Sequence, residues 1–150
     1  MTENVFLTLA SAAKLSSPST FTLTVSGATF NNFGGSLLVN YKARTTQVGS
    51  ATLTLKASSD FSPAGGPSVA SGNVTYTCAS AGLGTACSGT QTMNAASQTS
   101  VVSVSTNACV GTGCSSANPA SVQLQFVLAN SPQYHTGSYS AQVLFTFSSI

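Results

Sequence analysis

Four cysteines, Cys78, Cys87, Cys109 and Cys114, are the residues of this 150-residue chain best suited to form covalent cross-links or to hold a metal. A tetrahedral zinc site would need all four thiolates, at spacings that contain none of the Cys-x-x-Cys pairs of zinc ribbons. Disulfides are the better interpretation. Pairing of Cys78 with Cys87 and of Cys109 with Cys114 would close two short loops rich in small residues, so the sequence predicts local bridges.

Catalysis needs side chains that exchange protons or attack a substrate, and the chain has few of them. Its two acidic residues, Glu3 and Asp60, are far apart in sequence, which does not predict the paired carboxylates of a glycosidase. His135 and Asp60 could join one of many serines in a hydrolase triad, yet no Gly-x-Ser-x-Gly motif accompanies them. We therefore predict a protein that is not an enzyme, with no cofactor and no metal site.

The chain is almost free of charge. Only 4% of its residues are charged, against about 25% in ordinary soluble domains. Its cations, Lys14, Lys42, Arg44 and Lys56, are scattered along the sequence, so no basic stripe is predicted and neither nucleic acid nor an anionic membrane is expected as a partner. Surfaces close to neutral associate readily, which favours packing against copies of the same chain. Adaptation to a harsh exterior would give the same composition.

The cysteines also indicate a compartment. Disulfides persist where the surroundings are oxidising. No apolar run reaches the ~18 residues of a membrane span, and the amino terminus lacks a charged segment followed by an apolar core. We expect an extracellular or cell-surface protein without membrane insertion, whose signal peptide is absent from this chain.

Short segments with an apolar residue at every second position recur along the chain. The longest is the last, where Tyr139, Ala141, Val143, Phe145 and Phe147 share one side of an extended backbone. The other inward rows are predicted at 21/23/25, 37/39/41/43, 51/53/55/57, 74/76/78, 102/104 and 122/124/126/128. Turns rich in Gly, Pro and Asn separate them, and no helical period is present. The sequence predicts one all-β domain over 1–150, an antiparallel β-sandwich of immunoglobulin-like or related topology with about eight or nine strands.

The amino-terminal segment has two interpretations. Val5, Leu7 and Leu9 alternate, and Phe6 makes the segment apolar on both faces, as in a strand held inside a sheet. A polar connector at 11–19 follows, long enough to span about 30 Å when extended. Residues 1–10 could pair within their own sheet, or they could act as a donor strand that completes a neighbour's sandwich.

The terminal segment also carries a resemblance. Gly137-Ser138-Tyr139-Ser140, followed by Gln142-Val143-Leu144-Phe145-Thr146-Phe147, resembles the closing strand of spore coat protein U-type and related fimbrial domains, with their G-x-Y-x-x-x-V-x-x-T pattern. The Thr- and Gly-rich body with few charges is similar too. The resemblance implies a secreted β-sandwich that polymerises on the cell surface by lending its amino-terminal strand to a neighbour.

We therefore predict a non-enzymatic structural subunit of an extracellular filament, pilus or surface matrix, whose partners are copies of itself. The alternative is a carbohydrate-binding or adhesive surface module. Threonine rows at 20/22/24, 52/54 and 75/77 could form one hydroxyl-rich face for polysaccharide, although solvent-facing strand surfaces without charges use the same residues.

Overall fold

The computed structural model of the protein describes residues 6–8, 12–44, 49–105 and 120–149. Within these ranges the chain forms ten β-strands, one short 3-10 helix at Val69–Ser71 and no α-helix. In chain order the strands are β1 (Ala12–Ser16), β2 (Thr24–Val25), β3 (Phe33–Arg44), β4 (Ala51–Ser62), β5 (Val74–Cys78), β6 (Thr85–Ala86), β7 (Gln91–Thr92), β8 (Thr99–Val104), β9 (Ala120–Leu128) and β10 (Ser140–Ser149).

The strands form two antiparallel sheets. Sheet 1 has the order β1-β3-β9-β5-β7, and β2 pairs with the beginning of β3 on the same edge as β1. Sheet 2 has the order β10-β4-β8-β6. The predicted all-β antiparallel sandwich is confirmed. The described strands outnumber the expected eight or nine because β2, β6 and β7 are only two residues long.

Alternation of side chains explains where the core lies. In β9, Val122, Leu124 and Phe126 are at most 1% exposed, while Gln123 and Gln125 between them face solvent. Side chains of successive strand residues point to opposite faces, so each sheet presents one apolar face to the other. The other buried rows are Leu37, Val39 and Tyr41 in β3, Ala51, Leu53, Leu55 and Ala57 in β4, Val74 and Tyr76 in β5, and Val101, Val102 and Val104 in β8.

Two tyrosine hydroxyls are hydrogen-bonded inside the sandwich. Tyr76 of sheet 1 donates to the carbonyl of Ser100 in sheet 2 at 2.7 Å, and its oxygen lies 2.9 Å from Oγ1 of Thr99. Tyr41 donates to the carbonyl of Leu83 and accepts from the N–H of the same residue at 3.3 Å. Burial raises the pKa of both phenols, so they stay protonated and able to donate.

The edge of sheet 1 differs from the sequence prediction. Part of the connector expected at 11–19 is a strand, because Ala12–Ser16 pairs with the end of β3. Of the strand expected at 21–25, only Thr24–Val25 pairs, while Phe21 and Leu23 pack partly buried against the core.

A change of register accounts for this difference. Ser16 pairs with Asn40 and Thr24 pairs with Gly34, so eight positions along the edge lie opposite six along β3. Residues 17–23 of the edge lie outside the ladder, and this segment is two residues longer than the stretch of β3 that it passes. Gly35 allows the chain to pass closely, because a Cβ there would lie 2.5 Å from the carbonyl oxygen of Thr22.

The last strand begins one residue later than Tyr139, which was expected on its inward face. The Tyr139 hydroxyl instead donates to the carbonyl of His135 at 2.8 Å, and its ring covers Gly66, where an added Cβ would overlap the ring. Within β10, Val143, Phe145 and Phe147 face the core but are only partly buried. The terminal strand is therefore less enclosed than its apolar row predicts.

Candidate assembly interface

On one long side of the sandwich, which we call the open side, the edge strands pair with no further strand among the described residues. This side is bordered by β1 and β2 of sheet 1 and by β10 of sheet 2, and β1 contacts β10. The apolar side chains along this side pack against the core without being fully covered. They are Leu15, Phe21, Leu23, Phe33, Ala43, Val143, Phe145 and Phe147. This open side leaves apolar surface that a further strand could cover.

The opposite side of the sandwich is closed. Cys78 at the end of β5 forms a disulfide with Cys87, just after β6, with the two Cα atoms 5.4 Å apart. The bridge joins the two sheets, and Leu83 and Met93 nearby are buried. The predicted Cys78–Cys87 pairing is confirmed. Cys109 and Cys114 lie outside the described residues, so their pairing stays a prediction.

The free edge of β10 is the longest on the open side. β10 pairs with β4 from Ser140 opposite Ser62 to Ser149 opposite Ala51, and no other described strand pairs with it. The backbone N–H and C=O groups on that side can therefore accept another strand. Because Val143, Phe145 and Phe147 face the core next to this edge, an added strand would bury apolar area as well as form main-chain hydrogen bonds.

The predicted donor segment lies in no strand where it is described. Phe6 is 92% exposed and Leu7 is 78% exposed, and residues 6–8 have no strand assignment. Val5 and Leu9, the other two predicted interface residues, lie outside the described residues. Pairing of this segment within its own sheet would have turned one of these two adjacent side chains toward the core, whereas both are displayed to solvent.

The groups considered for catalysis have structural contacts. The Asp60 carboxylate accepts hydrogen bonds from Ser68 Oγ at 2.6 Å and from the N–H groups of Val69 and Phe61, which lowers its pKa. The backbone N–H of His135 donates to the carbonyl of Gly65 at 2.9 Å. In the described part of the chain, no cluster of three or more His, Cys, Asp or Glu side chains could hold a metal ion. The same part of the chain contains no helix long and apolar enough to cross a membrane.

The threonine rows do not form a single face. Thr52 and Thr54 lie on the outer face of sheet 2, next to the inward row of β4. Thr75 and Thr77 lie on the outer face of sheet 1, on the other side of the molecule. Rows 52/54 and 75/77 therefore do not belong to one continuous hydroxyl surface, because they lie on different sheets.

The donor segment stays a prediction from the sequence, and sequence reasoning did not identify the open side of the sandwich. Which strands lie at sheet edges depends on the pairing order, and alternation alone does not reveal that order. No protein-family model and no curated protein matches the chain. The resemblance to spore coat protein U-type domains remains a prediction from the terminal strand.

Proposed function

We propose that the protein is a non-enzymatic structural subunit of an extracellular filament, pilus or surface matrix. Copies join when the amino-terminal strand of one chain adds to the free edge of β10 in the next. Lateral packing of whole sandwiches is the simpler way to assemble, but it leaves the exposed Leu7 without a role. Two features of the same chain carry the proposal. One is an apolar segment displayed to solvent, and the other is the unpaired edge of β10 with its partly buried apolar row.

The energetics favour strand addition. Full burial of a Leu side chain contributes about 1.5–3 kcal/mol, and Leu7, which is 78% exposed, has most of its surface available for burial. Side chains of an added strand alternate between faces, so Leu7 would share the inserted row with Val5 and Leu9, while Thr8 would point away. Partly buried Val143, Phe145 and Phe147 supply the complementary surface.

Compartment and charge agree with this function. The Cys78–Cys87 disulfide fits an oxidising exterior. The net charge of +2 over 150 residues gives little repulsion between copies, so close packing of subunits costs little electrostatic free energy.

Substitution in the donor segment tests the proposal. Leu7→Asp places a charge in the inserted row, and we expect it to abolish filaments in electron micrographs and leave a monomer in sedimentation. Thr8→Asp is the matched control, because it adds the same charge one residue away on the face that points outward. It should still assemble. Normal assembly of the Leu7→Asp protein would show that the amino-terminal strand is not the joint.

A further inference from the structure

The register of the first two paired strands groups charges that are far apart in the sequence. Lys14 of β1 lies directly opposite Lys42 of β3, and Arg44 lies two residues further along β3, opposite Ala12. Tyr41 is buried in β3, so Lys42 and Arg44 belong to the outward row of that strand. Three of the four basic residues of the chain therefore share one corner of the outer face of sheet 1. We call this corner the cationic face.

The cationic face has no acidic counterpart among the described residues. Among the described residues, Asp60 is the one acidic residue. It lies near the far end of β4, about 30 Å along the strand from Ala51 at the usual rise per residue. Its carboxylate is engaged by Ser68, Val69 and Phe61. Like charges placed directly opposite each other in a sheet are unfavourable for stability, so Lys14 and Lys42 repel each other across the pair. Lys42 and Arg44 also interact within the protein. A ligand would respond to the combined positive field of the three groups.

A shallow cavity lies at the same place. It has a volume of about 180 Å³ and is lined by Lys14, Ser16, Asn40, Tyr41 and Lys42. Sites that enclose a whole small molecule measure roughly 300–1,000 Å³, so this one suits a single unit of a longer chain. Its rim offers two ammonium groups, a hydroxyl and an amide, which together can bind a carboxylate and sugar hydroxyls.

The surface beside the cavity continues the same chemistry. Ser121 of β9 lies opposite Asn40 in the same outward row, and Gln123 follows on β9 opposite the exposed Leu38. These hydroxyl and amide groups can donate to and accept from sugar hydroxyls. The outward rows of β1, β3 and β9 contain no aromatic residue on which nucleic-acid bases could stack. Three cations are also fewer than the 4–8 typical of a basic cluster that binds anionic lipid.

We propose that the cationic face binds an acidic polysaccharide, with uronate carboxylates placed between Lys14 and Lys42. This activity is separate from strand addition, since it uses the outer face of sheet 1 and leaves the edge of β10 free. A filament whose subunits each carried such a face would bind a polyanion at many points, so weak single contacts would add to firm attachment.

Binding of the full-length protein to alginate tests the proposal. We expect retention on alginate, and no retention on neutral dextran. The double variant Lys14→Gln/Lys42→Gln should bind alginate about tenfold or more weakly at low salt, because binding driven by charge scales with the number of cations that contact the polymer. Lys14→Arg/Lys42→Arg keeps the charges and should restore binding. Lys56→Gln, on the outer face of sheet 2, is the matched control and should bind as the unchanged protein does.

The melting temperature separates loss of binding from loss of folding. Removal of both charges of the opposed Lys14–Lys42 pair should leave the melting temperature unchanged or higher. The proposal is overturned if alginate is not retained, if Lys56→Gln weakens binding as much as the double variant, or if duplex DNA or anionic lipid vesicles bind more tightly than alginate through the same lysines.

Discussion

Phe147 of β10 packs against Tyr41 of β3, with ring centroids 5.8 Å apart and planes inclined by 50°. The contact joins the two sheets on the open side of the sandwich, because Phe147 belongs to sheet 2 and Tyr41 to sheet 1. Tyr41 is buried, whereas Phe147 remains partly exposed. Phe147 thus anchors the terminal strand to the core through one side of its ring. The rest of the ring stays partly exposed beside the unpaired edge of β10.

When an apolar residue is replaced by Ala, the loss in the free energy of unfolding should increase with the burial of that residue. Phe126→Ala removes a ring that contacts both Phe21 and Tyr76 and is 1% exposed, so it should cost roughly 3–5 kcal/mol of the free energy of unfolding. Phe145→Ala, at the partly buried edge, should cost about 2–3 kcal/mol. Leu144→Ala, 46% exposed, should cost less than 1 kcal/mol or so. Urea unfolding of the three variants checks the order, and equal losses for Phe145 and Leu144 would mean that the faces of β10 are assigned wrongly.

The disulfide should stabilise mainly by restricting the unfolded chain. Cys78 and Cys87 are nine residues apart, and the loop-entropy relation then gives about 2.5–3 kcal/mol. We expect the Cys78→Ala/Cys87→Ala variant to lose that much in chemical unfolding. Peptide mapping without reductant would at the same time check the predicted Cys109–Cys114 bridge. A linked peptide that joins Cys78 to Cys109 or Cys114 would contradict both pairings.

The hydrogen bond of Tyr76 across the core predicts a second stability effect. Tyr76→Phe leaves the Ser100 carbonyl without this donor and should cost about 1–2 kcal/mol. Burial raises the pKa of Tyr76 above its ordinary value of 10.0, so the unfolded chain loses the proton first as the solution becomes alkaline. The stability that this residue provides is present below pH 10 and falls as the pH rises further. Above pH 10, the free energy of unfolding should therefore fall less steeply with rising pH for Tyr76→Phe than for the unchanged protein. Unfolding curves recorded at several pH values above 10 measure this difference.

The hydrogen bonds to the Asp60 carboxylate predict that folding stability decreases at acid pH. The hydrogen bond from Ser68 is the largest cause of its lowered pKa, followed by that from the N–H of Val69. Because the folded pKa lies below the ordinary value of 3.8, the contribution of Asp60 is present above about pH 4 and is lost as the pH falls through the folded pKa. The stability difference between the unchanged protein and Asp60→Asn should shrink between pH 5 and pH 2. A difference that stays constant over that range would show that the carboxylate does not stabilise the turn through its charge.

Strict alternation made much of the fold predictable. Long strands such as β3, β4 and β9 carry apolar residues at every second position, and these residues form the core. The edge of sheet 1 was harder, because Ala12–Ser16 holds only one large apolar residue and an unpaired segment at 17–23 interrupts the pairing beyond it. The grouping of Lys14 with Lys42 could not be predicted at all. It depends on the register of β1 against β3, which is fixed by tertiary packing and not by any local pattern.

Hydrogen–deuterium exchange can locate the joint between copies. Protein lacking residues 1–10 would be compared with and without a synthetic peptide of those residues, and a Leu7→Asp peptide would serve as the control. If the amino-terminal strand adds to the edge of β10, the peptide slows exchange at backbone amides of 140–149, and the control peptide does not. Unchanged exchange along 140–149, or protection confined to another edge, would contradict strand addition at β10.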